Sequence, residues 1–242
     1  MAKISIRQIK DSLPPEKNSA DSLWTRYFLR PISIPVSWVF LRFDIRANTV
    51  SYFSGLLCVA AGFMFGGGLF PLTLFGAIIF NIFAVLDCVD GNIARVTATT
   101  GPYGGWADAL GGYVAYIAVL LSLGYATAGS DATIMGLTPD KATWVLLGGV
   151  SASANMLMRL AYQSYRNIAP EGIAEAKKSI SLEKIVSENL GVTGFLMPAL
   201  LIGLFMNILG YVLLFYTFFY TLGCIISLIK LIRKVEYATR KK

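Results

Sequence analysis

Residues 70–95 read FPLTLFGAIIFNIFAVLDCVDGNIAR. From Phe70 to Leu86 there is no charged residue, and the only polar side chains are Thr73 and Asn81. A helix that is apolar on every side must be buried on every side, in a large core or in lipid. At 1.5 Å per residue, roughly 20 such residues cross the hydrocarbon of a bilayer. Asp87, Asp90 and Arg95 follow at the end of the run. The stretch therefore predicts a membrane-spanning helix with charged chemistry at one end.

The rest of the chain decides between core and lipid. Of its 242 residues 55% are hydrophobic and 14% charged, where soluble domains average about 25% charged. Mean hydropathy is +0.62. Six apolar stretches of spanning length, at 48–67, 70–90, 106–128, 141–163, 190–206 and 208–230, leave no polar exterior to enclose a soluble core. The expected fold class is an all-α integral membrane protein, with six transmembrane helices preceded by an interfacial N-terminal segment. Its organisation would be a cytoplasmic and interfacial segment (1–47), a six-helix catalytic domain (48–230) and a basic cytoplasmic tail (231–242).

Charge orients those spans. With the N-terminus in the cytoplasm, all but Lys141 of the 21 Lys and Arg fall on the cytoplasmic side, a strong positive-inside asymmetry. The net charge of +7 then reads as attraction to anionic lipids at the cell membrane. No nucleic-acid motif competes with it, so no nucleic-acid partner is expected. Residues 22–43 mix Trp24, Tyr27, Phe28, Trp38 and Phe40 with Arg26, Arg30 and Arg42. Pro31 and Pro35 should break a straight helix there, and the segment reads as lying in the membrane interface. The 167–189 stretch reads as a polar connector, partly helical, and Pro198 as a kink in the fifth span.

Composition also bounds the chemistry. There is no histidine, and the three cysteines, Cys58, Cys88 and Cys224, lie far apart in apolar runs. Imidazole bases, Ser-His-Asp and Cys-His catalysis, His-ligated zinc and disulfide frameworks are all excluded.

Ionisable groups beside hydrocarbon are costly, so they mark a functional site. Asp87, Asp90, Gly91 and Ala94 share one helix face by their three- and four-residue spacings. Asp108 projects from the next helix, so three carboxylates can converge. Crowded carboxylates repel unless protonated or bound to cations. Hard oxygen ligands suit Mg²⁺, Mn²⁺ or Ca²⁺, and such a metal with open positions suits phosphate. Gly91 and Ala94 clear bulk for a nucleotide beside the acids, Gly104 either does the same or lets the chain turn, and Arg95 can neutralise phosphate or pair with a carboxylate.

These residues resemble the signature of the CDP-alcohol phosphotransferase (CDP-alcohol phosphatidyltransferase) family, D-x2-D-G-x2-A-R-x8-G-x3-D-x3-D. Asp87, Asp90, Gly91, Ala94, Arg95, Gly104 and Asp108 all fall at its spacing. Ile45–Ser51 is similar to the family's T-P-N-x-[IV]-T approach to the first span, with Asn48 kept, Ala47 in place of Pro and Ser51 in place of Thr. The resemblance implies a membrane transferase of phospholipid or headgroup synthesis, in which an acceptor hydroxyl displaces CMP from a CDP-linked alcohol. It also implies Asp87, Asp90 and Asp108 as ligands of a divalent cation, Mg²⁺ or Mn²⁺. Asp87, Asp90, Gly91, Ala94, Arg95 and Gly104 would bind the nucleotide, and a homodimer is the expected assembly.

The last aspartate of the pattern, the family's general base, is replaced by Gly112. Asp108 as base, a metal-bound water and an acceptor that is already an anion all remain open. So does a chain that binds a CDP-linked ligand without efficient turnover. Arg159, Gln163 and Arg166, spaced by four and three, offer a basic face to a phosphorylated acceptor or snorkel to lipid headgroups. A transporter is disfavoured, because the acids cluster at one interface rather than mid-span.

Overall fold

Proline and glycine set where the helices start and stop. In the computed structural model, which describes residues 4–130, 132–168 and 187–240, 84% of the described residues are helical and none of them forms a strand. The helices are α1 (Ile6–Asp11), α2 (Pro15–Ala20), α3 (Arg30–Arg42), α4 (Ala47–Gly66), α5 (Phe70–Val96), α6 (Pro102–Ala128), α7 (Lys141–Ile168), α8 (Met197–Phe205) and α9 (Leu209–Arg240). Pro15, Pro71, Pro102 and Pro198 each sit in a first helical turn, where the missing N–H has no partner to lose. Gly68, at φ +76°, turns the chain between α4 and α5 in a conformation that favours glycine.

Among the described residues five helices are long and apolar enough to cross a membrane: α4, α5, α6, the run Ser187–Phe205 that ends in α8, and Leu209–Thr239 of α9. The sixth stretch forms α7, 28 residues long, but is less apolar. Ser151, Asn155 and Arg159 recur at four-residue spacing along one of its faces. Of the 167–189 connector, residues 169–186 lie outside the described residues. Its end, Ser187–Asn189, already belongs to the next apolar helix.

One proline expectation is corrected. α3 runs unbroken through Pro31 and Pro35, since Pro31 occupies the first turn and the helix is clamped along its buried side. There the Asn92 amide donates to the Ser33 and Ser37 hydroxyls, each at 3.1 Å. The Ser187–Phe205 run is kinked, as expected. Pro198 opens α8, and four residues before it Gly194, in a π-helical turn Val192–Leu196, leaves the helical region at φ −90°, ψ −120°, where a proline removes the backbone bond to the preceding turn.

α4 packs on both α5 and α6, at backbone contact. A Cβ on Gly111 would lie 2.6 Å from the Ser51 carbonyl oxygen, so only glycine permits that approach. The core between the long helices is built from Phe65, Phe80, Phe83, Leu120, Leu123 and Trp144, all at most 2% exposed. It holds the ends of α5 and α6 in fixed register, and both carry the conspicuous acids.

Candidate active site

Asp87, Asp90 and Asp108 line one cavity of about 270 Å³, together with Gly91 and Arg95. Asp90 is 6% exposed, and its Oδ2 accepts a 2.6 Å hydrogen bond from the Ser51 hydroxyl of α4. Asp87 is half-buried and Asp108 exposed. Burying carboxylates in this way demands compensation, and Lys17, Arg30 and Arg95 line the same cavity.

The Arg95 guanidinium folds back over Gly91, where a Cβ would meet Nη1 at 3.1 Å. Its Nη2 donates to Asn92 Oδ1 at 2.7 Å, while its buried Nε finds no partner among the described residues. Arg30, 6% exposed, reaches the same cavity from the head of α3. Its Nε pairs with Asp21 at 2.7 Å, and its Nη1 approaches Asn92 Oδ1 at 3.4 Å. Burial works against the charge on Arg30. The hydrogen bond to Asp21 and the fields of Cys88, Asp21 and Asp87 outweigh it, so its pKa stands above the usual guanidinium value. Two guanidinia thus converge on one amide oxygen beside three aspartates. An orphaned buried Arg95 Nε in such a wall is a donor for an anion.

The outer wall comes from segments remote in sequence. Lys17 of α2, with Asp21, Glu188 and Thr193, completes the lining. Arg26 ties this N-terminal arm together by donating to the carbonyls of Asn18 (2.9 Å) and Ser19. The arm is sewn to the start of the Ser187–Phe205 helix. Leu23 N–H donates to Asn189 Oδ1 at 2.8 Å, and the Thr25 hydroxyl to the Thr193 carbonyl at 3.3 Å.

Other expected residues lie elsewhere. Gly104 lines a separate groove of about 1070 Å³, between the α3–α4 corner and the α5–α6 turn. Ala94 packs beside the apolar cluster of Val50, Val89 and Ile93. Arg159 turns inward, with its Nε donating to Asn155 Oδ1 at 3.0 Å and its guanidinium 4.1 Å above the Tyr116 ring. Gln163 and Arg166 are exposed, and none of the three lines either hollow. Gly112 is buried. A Cβ there would meet the Tyr116 ring and hydroxyl at 3.5 Å, so the phenol fills the space beside the missing acid.

The acids have the right chemistry for a hard divalent cation. As they stand, no three such groups lie close enough together among the described residues to hold a metal ion. Asp90 is turned toward Ser51, and gripping an ion would require the side chains to swing inward.

Arg30, Asp21, Lys17 and Glu188 were missed as site residues. The available signal was Arg30 itself, an arginine at the start of a face continued by Ser33 and Ser37. For Glu188 it was an acid directly preceding an apolar run. No protein-family model matches the chain, and no curated protein is significantly similar to it.

Proposed function

We propose that this chain is a CDP-alcohol phosphotransferase that displaces CMP from a CDP-linked alcohol by an acceptor hydroxyl, forming a phosphodiester at the cytoplasmic face. The observation that carries the reading is one cavity lined by Asp87, Asp90 and Asp108 together with Arg30, which is buried, and Arg95, which is half-buried. Carboxylates alone would repel a diphosphate, and arginines alone would bind any anion. The combination suits a phosphate ligand that arrives with a divalent cation.

The fit to the cation is one of donor chemistry, with Asp87, Asp90 and Asp108 as the residues that would hold it. When bound it would neutralise the phosphates and favour departure of CMP. The chain's own part is binding and orientation. Arg95 and Arg30 hold phosphate oxygens, and Ser51 fixes the Asp90 carboxylate. Gly91 keeps the wall low enough for Arg95 to lie flat. A cavity of about 270 Å³ suits the diphosphate and leaves the alcohol to the bilayer or the cytoplasm.

In this reading α7 is the sixth span, with its polar face turned to α6 and α9. α1 to α3 lie in the cytoplasmic interface, where exposed Tyr27, Phe28 and Phe43 meet lipid. Both termini are cytoplasmic and the assembly is a homodimer. A second reading, binding of a CDP-linked ligand without turnover, is favoured by Gly112 alone.

The test is CMP release by the protein in liposomes, with CDP-linked donors, pooled hydroxyl acceptors, and Mg²⁺ or chelator. Metal-dependent CMP that Asp108→Asn abolishes is the expected result. CMP binding without release selects the second reading, and absence of both refutes the assignment.

A further inference from the structure

We infer that the groove between the α3–α4 corner and the α5–α6 turn seats the headgroup of one anionic phospholipid from the surrounding bilayer. The groove shares no lining residue with the acids' cavity. At about 1070 Å³ against about 270 Å³, it is also several times larger.

Position is the first argument. Three helices with the length and apolarity of membrane spans meet here: α4 begins at Ala47, α5 ends at Val96 and α6 begins at Pro102. The groove takes residues 46–49 from the head of α4, and Thr97 and Tyr103 from either side of the α5–α6 turn. It therefore opens where the chain passes between hydrocarbon and water, the depth at which phospholipid headgroups lie.

The chemistry of the lining is the second. Arg42 and Arg46 are exposed in this groove, and neither forms an ion pair among the described residues. The Arg42 guanidinium stands 4.5 Å above the centre of the Trp38 ring, a contact that holds the cation without neutralising it. Asp44 lines the groove too, so two cations stand against one acid. Both α4 and α6 open onto it with no side chain capping their first turns, which adds partial positive charge to that of the arginines. A small free anion would need only these charges. The groove adds Leu41, Ile45 and Ile93, with the exposed rings of Tyr52 and Tyr103. Apolar and aromatic surface beside cations suits a phosphate that arrives with its glycerol backbone and the first methylenes of its chains.

The experiment uses the full chain in neutral detergent. It is titrated with phosphatidylglycerol, phosphatidylcholine, inorganic phosphate, or CMP with Mg²⁺, and bound lipid is read by native mass spectrometry beside the unfolding temperature. Native protein should retain one phosphatidylglycerol per chain in preference to phosphatidylcholine, and inorganic phosphate should not displace it. Arg42→Gln/Arg46→Gln should weaken that binding by about 10- to 30-fold, the effect of two cations beside an anionic headgroup. Arg233→Gln/Lys234→Gln, which removes two exposed cations of α9, should leave it unchanged. Tyr103→Glu decides the matter if the arginine pair is needed for folding. Tyr103 is 87% exposed in the first turn of α6, where an acid suits the helix but repels an anion in the groove, so phosphatidylglycerol should again bind more weakly. Binding that survives the groove variants, or falls equally in the α9 variant, would overturn the inference, as would a native protein that does not distinguish the two lipids. Displacement by inorganic phosphate would assign the groove to a free anion instead. Loss of CMP binding with phosphatidylglycerol binding intact would assign it to a nucleotide.

Discussion

The Ser51 hydroxyl donates a 2.6 Å hydrogen bond to Asp90 Oδ2 across the α4–α5 interface. Both residues are nearly sealed from solvent, at 3% and 6% exposure. The bond ties the beginning of α4 to the acid that opens the Asp90-Gly91 pair, and it commits one carboxylate oxygen. That geometry depends on Gly111, whose lack of a side chain lets α6 press against the Ser51 backbone.

Removing the donor should therefore weaken both fold and site. Ser51→Ala leaves a buried carboxylate short of a partner, which typically costs about 1–3 kcal/mol. The expected outcome is a lower unfolding temperature in detergent and weaker CMP binding with Mg²⁺. Ser51→Thr keeps the hydroxyl and should preserve both. Ser51→Ala with native stability would show that Asp90 does not depend on this bond.

Crowding the same contact from the other side tests the packing by itself. Gly111→Ala places a methyl group 2.6 Å from the Ser51 carbonyl oxygen, and overpacking of this kind typically costs about 1–3 kcal/mol. Gly149→Ala on α7 is the control, because a Cβ there has nothing within 4 Å among the described residues. Gly111→Ala should destabilise and Gly149→Ala should not, as read by thermal unfolding of the two variants in parallel.

Much of this site is legible in the sequence because a charge in an apolar run stands out. Asp87, Asp90 and Asp108 betray themselves by their neighbours; helical spacing puts the first two on one face, and the packing of α6 brings Asp108 to the same cavity. Arg30 and Glu188 are harder to find. Each sits in a polar or mixed stretch, where charge is the default, and reaches the cavity only through tertiary packing. Ala94 was placed by helix face and Gly104 by motif spacing, and neither says whether a residue borders the acids' cavity, another groove or an apolar cluster. Pro31 and Pro35 misled for a related reason. Local propensity says that they break a helix, but the Asn92 clamp on Ser33 and Ser37 comes from α5 and outweighs it.

The Arg30–Asp21 pair should be among the most sensitive positions outside the acids. Its side chains are 7% and 13% exposed, so solvent screens it little. Removing one partner of a buried pair typically costs about 3–5 kcal/mol, because the other charge is left uncompensated. Arg30→Gln should lower thermal stability strongly and abolish CMP binding, since it removes a cation from the cavity as well. Arg30→Gln/Asp21→Asn should recover stability without recovering binding. If the double variant binds CMP normally, Arg30 has only a structural part.

At the far end of α7 the chain carries a local pH sensor of its stability. Asp140 caps that helix. Its Oδ1 accepts from the Thr143 hydroxyl and from the Thr143 N–H at 2.8 Å, and these two bonds, the hydroxyl first, hold its pKa below the usual carboxylate value. A carboxyl depressed in the folded state contributes stability above its unfolded pKa of about 3.9, and loses it as pH falls through the lower folded value. Asp140→Ala should therefore speed amide hydrogen exchange in the first turns of α7 at neutral pH. Compared at matched intrinsic exchange rates, native and variant should converge as pH drops well below about 4, where the native cap becomes protonated. A difference that persists undiminished in acid would show that the cap holds through its shape rather than its charge.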